Sequence, residues 1–138
     1  MEIVTRIATD LSPEFLSAAA RLYRIAGWVE NEASCAFLEA ALGSSCVVCA
    51  AYCGGELAGM GRALGDGVSD AYIQDVVVAP AFRRRGVGSA IVKRLVSELR
   101  LRGVDWIALV GEPGTEEFYR SLGFEAPENF TFWRVPTP

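Results

Sequence analysis

The chain has 138 residues, 51% of them apolar and 22% charged, with a formal net charge of −4. This is a globular composition, long enough to bury a core without metals or disulfides, and it fits a single domain over residues 1–138. The acidic balance argues against a nucleic-acid partner, and the absence of histidine excludes a Ser-His-Asp triad, a Cys-His pair and every histidine-based metal site.

Residues 2–8 read as a first strand, and MEIVTRIATD has no signal-peptide pattern. Ser12-Pro13 starts a helix, with Ser12 as N-cap and Pro13 at the first helical position. Leu16, Ala19, Ala20 and Tyr23 then follow helical spacing up to Gly27. A second helix is expected from Glu32 to Leu42, ended by Gly43. Residues 45–53 read as a strand. Its apolar run CVVCAAYC is too short to span a bilayer, so a cytoplasmic protein is expected. Side chains on a strand alternate faces, so Cys46 and Cys49 are expected to point apart and to share no metal; the cysteines read as small core residues.

Gly54-Gly55 marks a hairpin turn into a strand over Leu57–Leu64, weakened by Gly59 and Gly61. After the turn Gly65-Asp66-Gly67, a third strand of the meander runs from Ala71 to Val78. An amphipathic helix follows, with Ile91, Val92, Leu95, Val96 and Leu99 on its apolar face and Gly103 at its end. Asp105–Val110 is a strand, Thr115 caps a short helix that Gly123 ends, and Phe124 and Phe130–Val135 are expected to form the last strands. The pattern is mixed α/β, a meander followed by a β-α-β-α section.

The stretch RRRGVGSA opens the amphipathic helix. A helix N-terminus presents unpaired N–H groups and a partial positive charge, so it stabilises an anion. Gly86 and Gly88 allow close approach, and arginines can fork onto phosphate oxygens. The dinucleotide fingerprint fails, because Ile91 stands where its third glycine belongs. A tight turn with solvated arginines is the plainer alternative.

The flanks add specificity. YIQDVVVAPAFRRRGVGSAIVKRLVSELRLRG at 72–103 resembles the core motif of the GNAT superfamily of acyl-CoA-dependent N-acyltransferases. That pattern is a strand ending in V-x-P, then [QR]-x-x-G-x-[GA], then a helix. EEFYRSLGF at 116–124 resembles the family's F-Y-x-x-x-G-F motif. The resemblance implies the GNAT fold: a central, mostly antiparallel sheet splayed between strands 4 and 5 and flanked by about four helices. It also implies acetyl-CoA as cosubstrate and no metal.

Carried over residue by residue, the pyrophosphate of coenzyme A falls to Arg83, Arg84, Arg85, Gly86, Val87, Gly88 and Ser89. The main chain of Val76, Val77 and Val78 takes the pantetheine arm. The implied reaction is attack of a primary amine on the thioester through a tetrahedral intermediate. Tyr119 matches the tyrosine that serves the leaving thiolate; a half-buried core aromatic is the alternative. For the base, Asp75 on the strand beside the substrate, Glu112 at the end of the next strand, and a water chain all stay open. Gln74 and Asp75 are expected on opposite faces. The acceptor is expected near Tyr23–Ser34, with Tyr23, Trp28 and Gln74 as contacts and Glu30 and Glu32 nearby.

The function expected is N-acetylation of a small-molecule amine, with a peptide N-terminus not ruled out. The alternative is a coenzyme A-binding module without turnover. No nucleic-acid or membrane partner is expected. Phe132 and Trp133 read either as a homodimer contact or as core.

Overall fold

The computed structural model describes residues 2–138. Among these residues the order is β1 (Ile3–Ile7), α1 (Pro13–Ile25), α2 (Phe37–Gly43), β2 (Val47–Cys53), β3 (Glu56–Gly65), β4 (Asp70–Val78), a 3-10 turn at Pro80–Phe82, α3 (Val87–Leu101), β5 (Trp106–Leu109) and α4 (Glu116–Ser121). The five strands form one sheet in chain order. β1 to β4 pair antiparallel and β5 joins β4 in parallel. This is the mixed α/β sheet expected. Among the described residues, no helix is long and apolar enough to cross a membrane.

Each face of the sheet is covered by its own helices. Val87, Ile91, Val92, Leu95 and Leu99 of α3 pack on Val47, Cys49, Ala51, Ala63, Ala71 and Ile73. Phe15, Ala19, Leu22 and Tyr23 of α1, with Leu38 and Leu42 of α2, pack on Val48, Ala50, Met60 and Val77. Each large side chain so buried contributes roughly 1.5–3 kcal/mol. Gly59 and Gly61 in β3 are close-approach positions: a Cβ at Gly59 meets the Val77 carbonyl oxygen at 2.7 Å, and one at Gly61 meets Ile91 at 3.0 Å. They let α3 and β4 settle onto β3.

Ser12 caps α1, its hydroxyl accepting from the Phe15 amide at 3.1 Å. Four expectations change. α2 begins at Phe37 rather than Glu32, because the Ser34 hydroxyl accepts the Ala36 N–H and holds a local turn there. Thr115 does not cap α4; its hydroxyl donates to the Glu112 carbonyl at 2.6 Å. Cys46 precedes β2, outside the alternation, and packs with Cys49 against the α3 layer rather than apart from it. Burial pushes the Cys49 thiol up to about 11.

The fourth change is the C-terminus, where residues 122–138 form no strand. Phe130, Phe132, Trp133 and Val135 break the two-residue period at 132–133, so no single sheet face could bury them. They stay exposed, Trp133 at 85%.

Candidate active site

The parallel pairing of β4 and β5 runs from Asp70↔Trp106 to Ile73↔Leu109 and stops. From Gln74 to Val78, β4 has no neighbour on that side, so the main chain of an unpaired edge faces a gap. This is the splay expected between strands 4 and 5. A bulge sits at its start. Arg62 pairs with Gln74 and Met60 with Val77, so Gly61 alone stands opposite both Asp75 and Val76. Asp75 has φ 56°, in the left-handed region that glycine usually fills.

The bulge resets the alternation of β4. Ala71 and Ile73 face the α3 layer, and so do Val76 and Val78, while Val77 is buried against α1 and α2. Gln74 and Asp75 therefore share a face, correcting the expectation that they point apart. Both line a recess on the α1 side.

On the α3 side the gap opens into a cleft of about 440 Å³ lined by Val76, Val78, Phe82, Arg83, Arg84, Gly86, Val87, Gly88, Ser89, Thr115, Phe118 and Tyr119. Gly86 is the N-cap of α3 with φ 85° and no side-chain cap. The first intrahelical bond here is from the Ala90 amide to the Gly86 carbonyl. The amides of Val87, Gly88 and Ser89 precede it and have no partner within the helix. Gly88 is needed for packing as much as for approach, because a Cβ there meets the Phe118 ring at 3.3 Å. Arg84 adopts φ 61°, and Arg83 Nε donates to the Val78 carbonyl at 3.0 Å, bracing the turn against the strand. Of the residues the resemblance names, Arg85 and Val77 do not line this cleft. The unpaired amides, two arginines and a space free of side chains at Gly86 fit a pyrophosphate.

Tyr119 stands across the cleft from that turn. It packs edge-on to Phe118 and Phe124, with ring centroids 4.9 and 5.6 Å away. Burial, then the Glu112 charge, raises its pKa, so the phenol stays a proton donor through neutral pH. A Cβ at Gly111 meets Thr115 Oγ1 at 2.9 Å, so the loop after β5 closes tightly over the start of α4.

Asp75 is held from two sides. Its Oδ2 accepts from Tyr23 Oη at 2.7 Å and from Arg62 Nε at 2.7 Å. Arg62 Nη1 also donates to the Ala41 carbonyl and to Ser45 Oγ, each at 3.2 Å. Left-handed backbone in a non-glycine residue costs about 1–2 kcal/mol. Two hydrogen bonds to a carboxylate, each about 1.5–3 kcal/mol, offset that. Tyr23, expected as an acceptor contact, is instead buried at 4% exposure and committed to Asp75. Burial and then the Asp75 bond raise its pKa far above the usual range.

The recess beside Asp75 measures about 340 Å³ and is lined by Trp28, Tyr72, Ile73, Gln74, Asp75, Leu109, Val110, Glu112 and Phe132. Trp28 is placed there by its edge contact with Tyr23, centroids 5.2 Å apart. Arg24 Nη2 donates to the Ala33 carbonyl and ties the following loop back to α1. Glu30 and Glu32 are exposed and outside the recess. Sequence reasoning missed Tyr72, Phe132 and Arg62 as parts of the site. Arg62 had a visible signal, the one charge inside the otherwise apolar run that follows Glu56 in the strand ELAGMGRALG.

The sequence matches the acetyltransferase (GNAT) family over residues 5–124. It is 51% identical over 63 residues to GCN5-related N-acetyltransferase 1, chloroplastic, of Arabidopsis thaliana, covering 46% of this chain and 32% of that protein. It is 47% identical over 77 residues to serotonin N-acetyltransferase 2, chloroplastic, of Oryza sativa subsp. japonica, covering 53% of this chain and 38% of that protein. The matched segment thus spans about a third of these relatives' length. In structure, a GNAT family acetyltransferase of Streptococcus pneumoniae superposes with a TM-score of 0.81 at 28% identity, covering 99% of this chain and 98% of that one. The expectation of a cytoplasmic protein falls here, because both curated relatives are named chloroplastic. A match over residues 5–124, with the fold and the splayed strands beneath it, makes this chain a member of the GNAT acetyltransferase family.

Proposed function

We propose that residues 1–138 form one catalytic domain that transfers the acetyl group of acetyl-CoA to a primary amine. The observation that carries this reading is the meeting of three features in one gap. They are the unpaired N-terminus of α3 beside Arg83 and Arg84, the open edge of β4, and the Tyr119 ring across from both.

Acetyl-CoA, when bound, supplies a thioester. The amides of Val87, Gly88 and Ser89, with Arg83 and Arg84, hold the pyrophosphate. The main-chain edge from Val76 to Val78, not paired with β5 and engaged only where the Val78 carbonyl accepts from Arg83, pairs with the pantetheine amides and offers an N–H to the developing oxyanion. Tyr119, kept protonated by burial, donates to the departing sulfur. Val77 contributes main chain only, since its side chain belongs to the α1 layer.

The acceptor enters from the recess of Trp28, Tyr72, Gln74 and Phe132. Its aromatic walls suit an amine on an apolar or aromatic body. Two carboxylates reach the recess, and the charge of Asp75 is already answered by Arg62. That leaves Glu112 to receive one ammonium and pass its proton to solvent. A singly charged small amine therefore suits this site better than a polycation. One relative, from rice, is named a serotonin N-acetyltransferase, and serotonin is such an amine.

The test is release of free thiol from acetyl-CoA with 2-phenylethylamine and, separately, with spermidine. The reading expects turnover that favours phenylethylamine. Acetyl-CoA binding with no thiol release for any amine would leave a coenzyme A-binding module in its place.

A further inference from the structure

Asp75 sits where a catalytic base would be sought, yet its surroundings suit a different task. We propose that Tyr23 and Arg62 are positioning residues that hold the β4 bulge through the Asp75 carboxylate, and that Asp75 itself works by fixing the strand edge rather than by taking a proton. This rests on reading the β4–β5 gap as the acyl-transfer site.

The first support is the backbone. Asp75 occupies φ 56° and puts two residues opposite Gly61. Without that extra residue the alternation of β4 would continue, and Val76 and Val78 would turn away from α3. They would then leave the cleft that they line. Pairing with β5 ends at Ile73, two positions before the bulge. The bulge thus stands where the sheet opens.

The second support is the carboxylate's partners. One oxygen, Oδ2, takes both 2.7 Å bonds, from α1 through Tyr23 and from β3 through Arg62. Arg62 is itself anchored to Ala41 and Ser45. The side chain is therefore fixed from two elements that cannot move without disturbing the core. An acceptor whose charge is met by a guanidinium and whose oxygen already takes two protons' worth of hydrogen bonding suits an anchor. A base needs an oxygen aimed at the amine.

Asp75→Gly and Asp75→Ala separate the two roles. Glycine removes the carboxylate but adopts a positive φ without strain, whereas alanine removes it and resists that φ. An anchor role predicts that Asp75→Gly keeps roughly ten times more kcat than Asp75→Ala, since misplacement by about 1 Å can cost a hundredfold. The ascending limb of the pH–rate profile stays in place in Asp75→Gly. Tyr23→Phe is expected to lower kcat with little change in KM for acetyl-CoA. Equal losses in Asp75→Gly and Asp75→Ala, with the ascending limb abolished in both, would make Asp75 the base and overturn the proposal.

A second readout does not need activity. Amide hydrogen exchange across Val76–Val78 is expected to quicken in Asp75→Ala and Tyr23→Phe and to stay slower in Asp75→Gly. If the intact protein neither binds nor turns over acetyl-CoA, the acetyltransferase reading fails alone, and exchange still decides the clamp. Unchanged exchange in Asp75→Ala sinks it.

Discussion

The two sides of the β4–β5 gap are built in different ways. The α3 side is made mainly by one continuous stretch, from Val76 to Ser89, with main-chain groups at a helix end, and only Thr115, Phe118 and Tyr119 come to it from a second segment. The α1 side is made of side chains from distant segments: Trp28 after α1, Tyr72 and Gln74 on β4, Glu112 after β5 and Phe132 in the tail. A main-chain site is set by backbone geometry and tolerates changes in most side chains around it. A site assembled from scattered side chains can be altered one residue at a time. The first side suits a constant ligand, the second a variable one.

Tyr119→Phe probes the ring that faces the turn across the α3-side cleft. It is expected to lower kcat by about a hundredfold, within the usual range for a lost general acid, while acetyl-CoA affinity holds. A simple packing role would leave kcat nearly unchanged, since the ring contacts with Phe118 and Phe124 survive. Arg84→Glu tests the continuous side. Charge reversal at the turn is expected to weaken acetyl-CoA binding by about tenfold or more in titration, without altering the preference among amines.

Phe132→Ala tests the scattered side. Loss of one aromatic wall is expected to raise KM for 2-phenylethylamine about three- to tenfold and to leave acetyl-CoA binding alone, on a contact of about 0.5–1.5 kcal/mol. An effect on acetyl-CoA affinity would show that the two sides are not independent.

The smallest effect concerns pH. Because burial raises the Tyr119 pKa, the rate should show no falling limb from this group below about pH 10. The same shift favours the folded state fully below the unfolded value, and that benefit is lost as pH rises through the raised one. A pH titration of rate and melting temperature, done together, checks both. Cys49, its thiol pushed up to about 11 by burial, should resist alkylation in the native protein at mildly alkaline pH.

How much of this was legible beforehand follows from the same contrast. The turn and α3 could be read because their residues are contiguous and their glycines and arginines are set by local geometry, whereas the splay followed only from the resemblance to the GNAT family. The shared face of Gln74 and Asp75 could not, because no glycine marks the left-handed position; the carboxylate's long-range partners hold it. The charges of Arg62 and Asp75 are both visible in the interiors of largely apolar strands, but only the pairing of β3 with β4 joins them. The strand expected over Phe130–Val135 does not form, because the apolar positions there fit neither face of a sheet. Phe132 entered the recess through tertiary placement that no local pattern encodes.

The most direct test is titration of acetyl-CoA into the full chain and into Arg84→Glu, with melting curves confirming that both are folded. The account predicts saturable one-to-one binding by the intact protein, weakened about tenfold or more in the variant. Absence of binding by the intact protein, or equal binding by the folded variant, would contradict the assignment of the α3 turn as the pyrophosphate site.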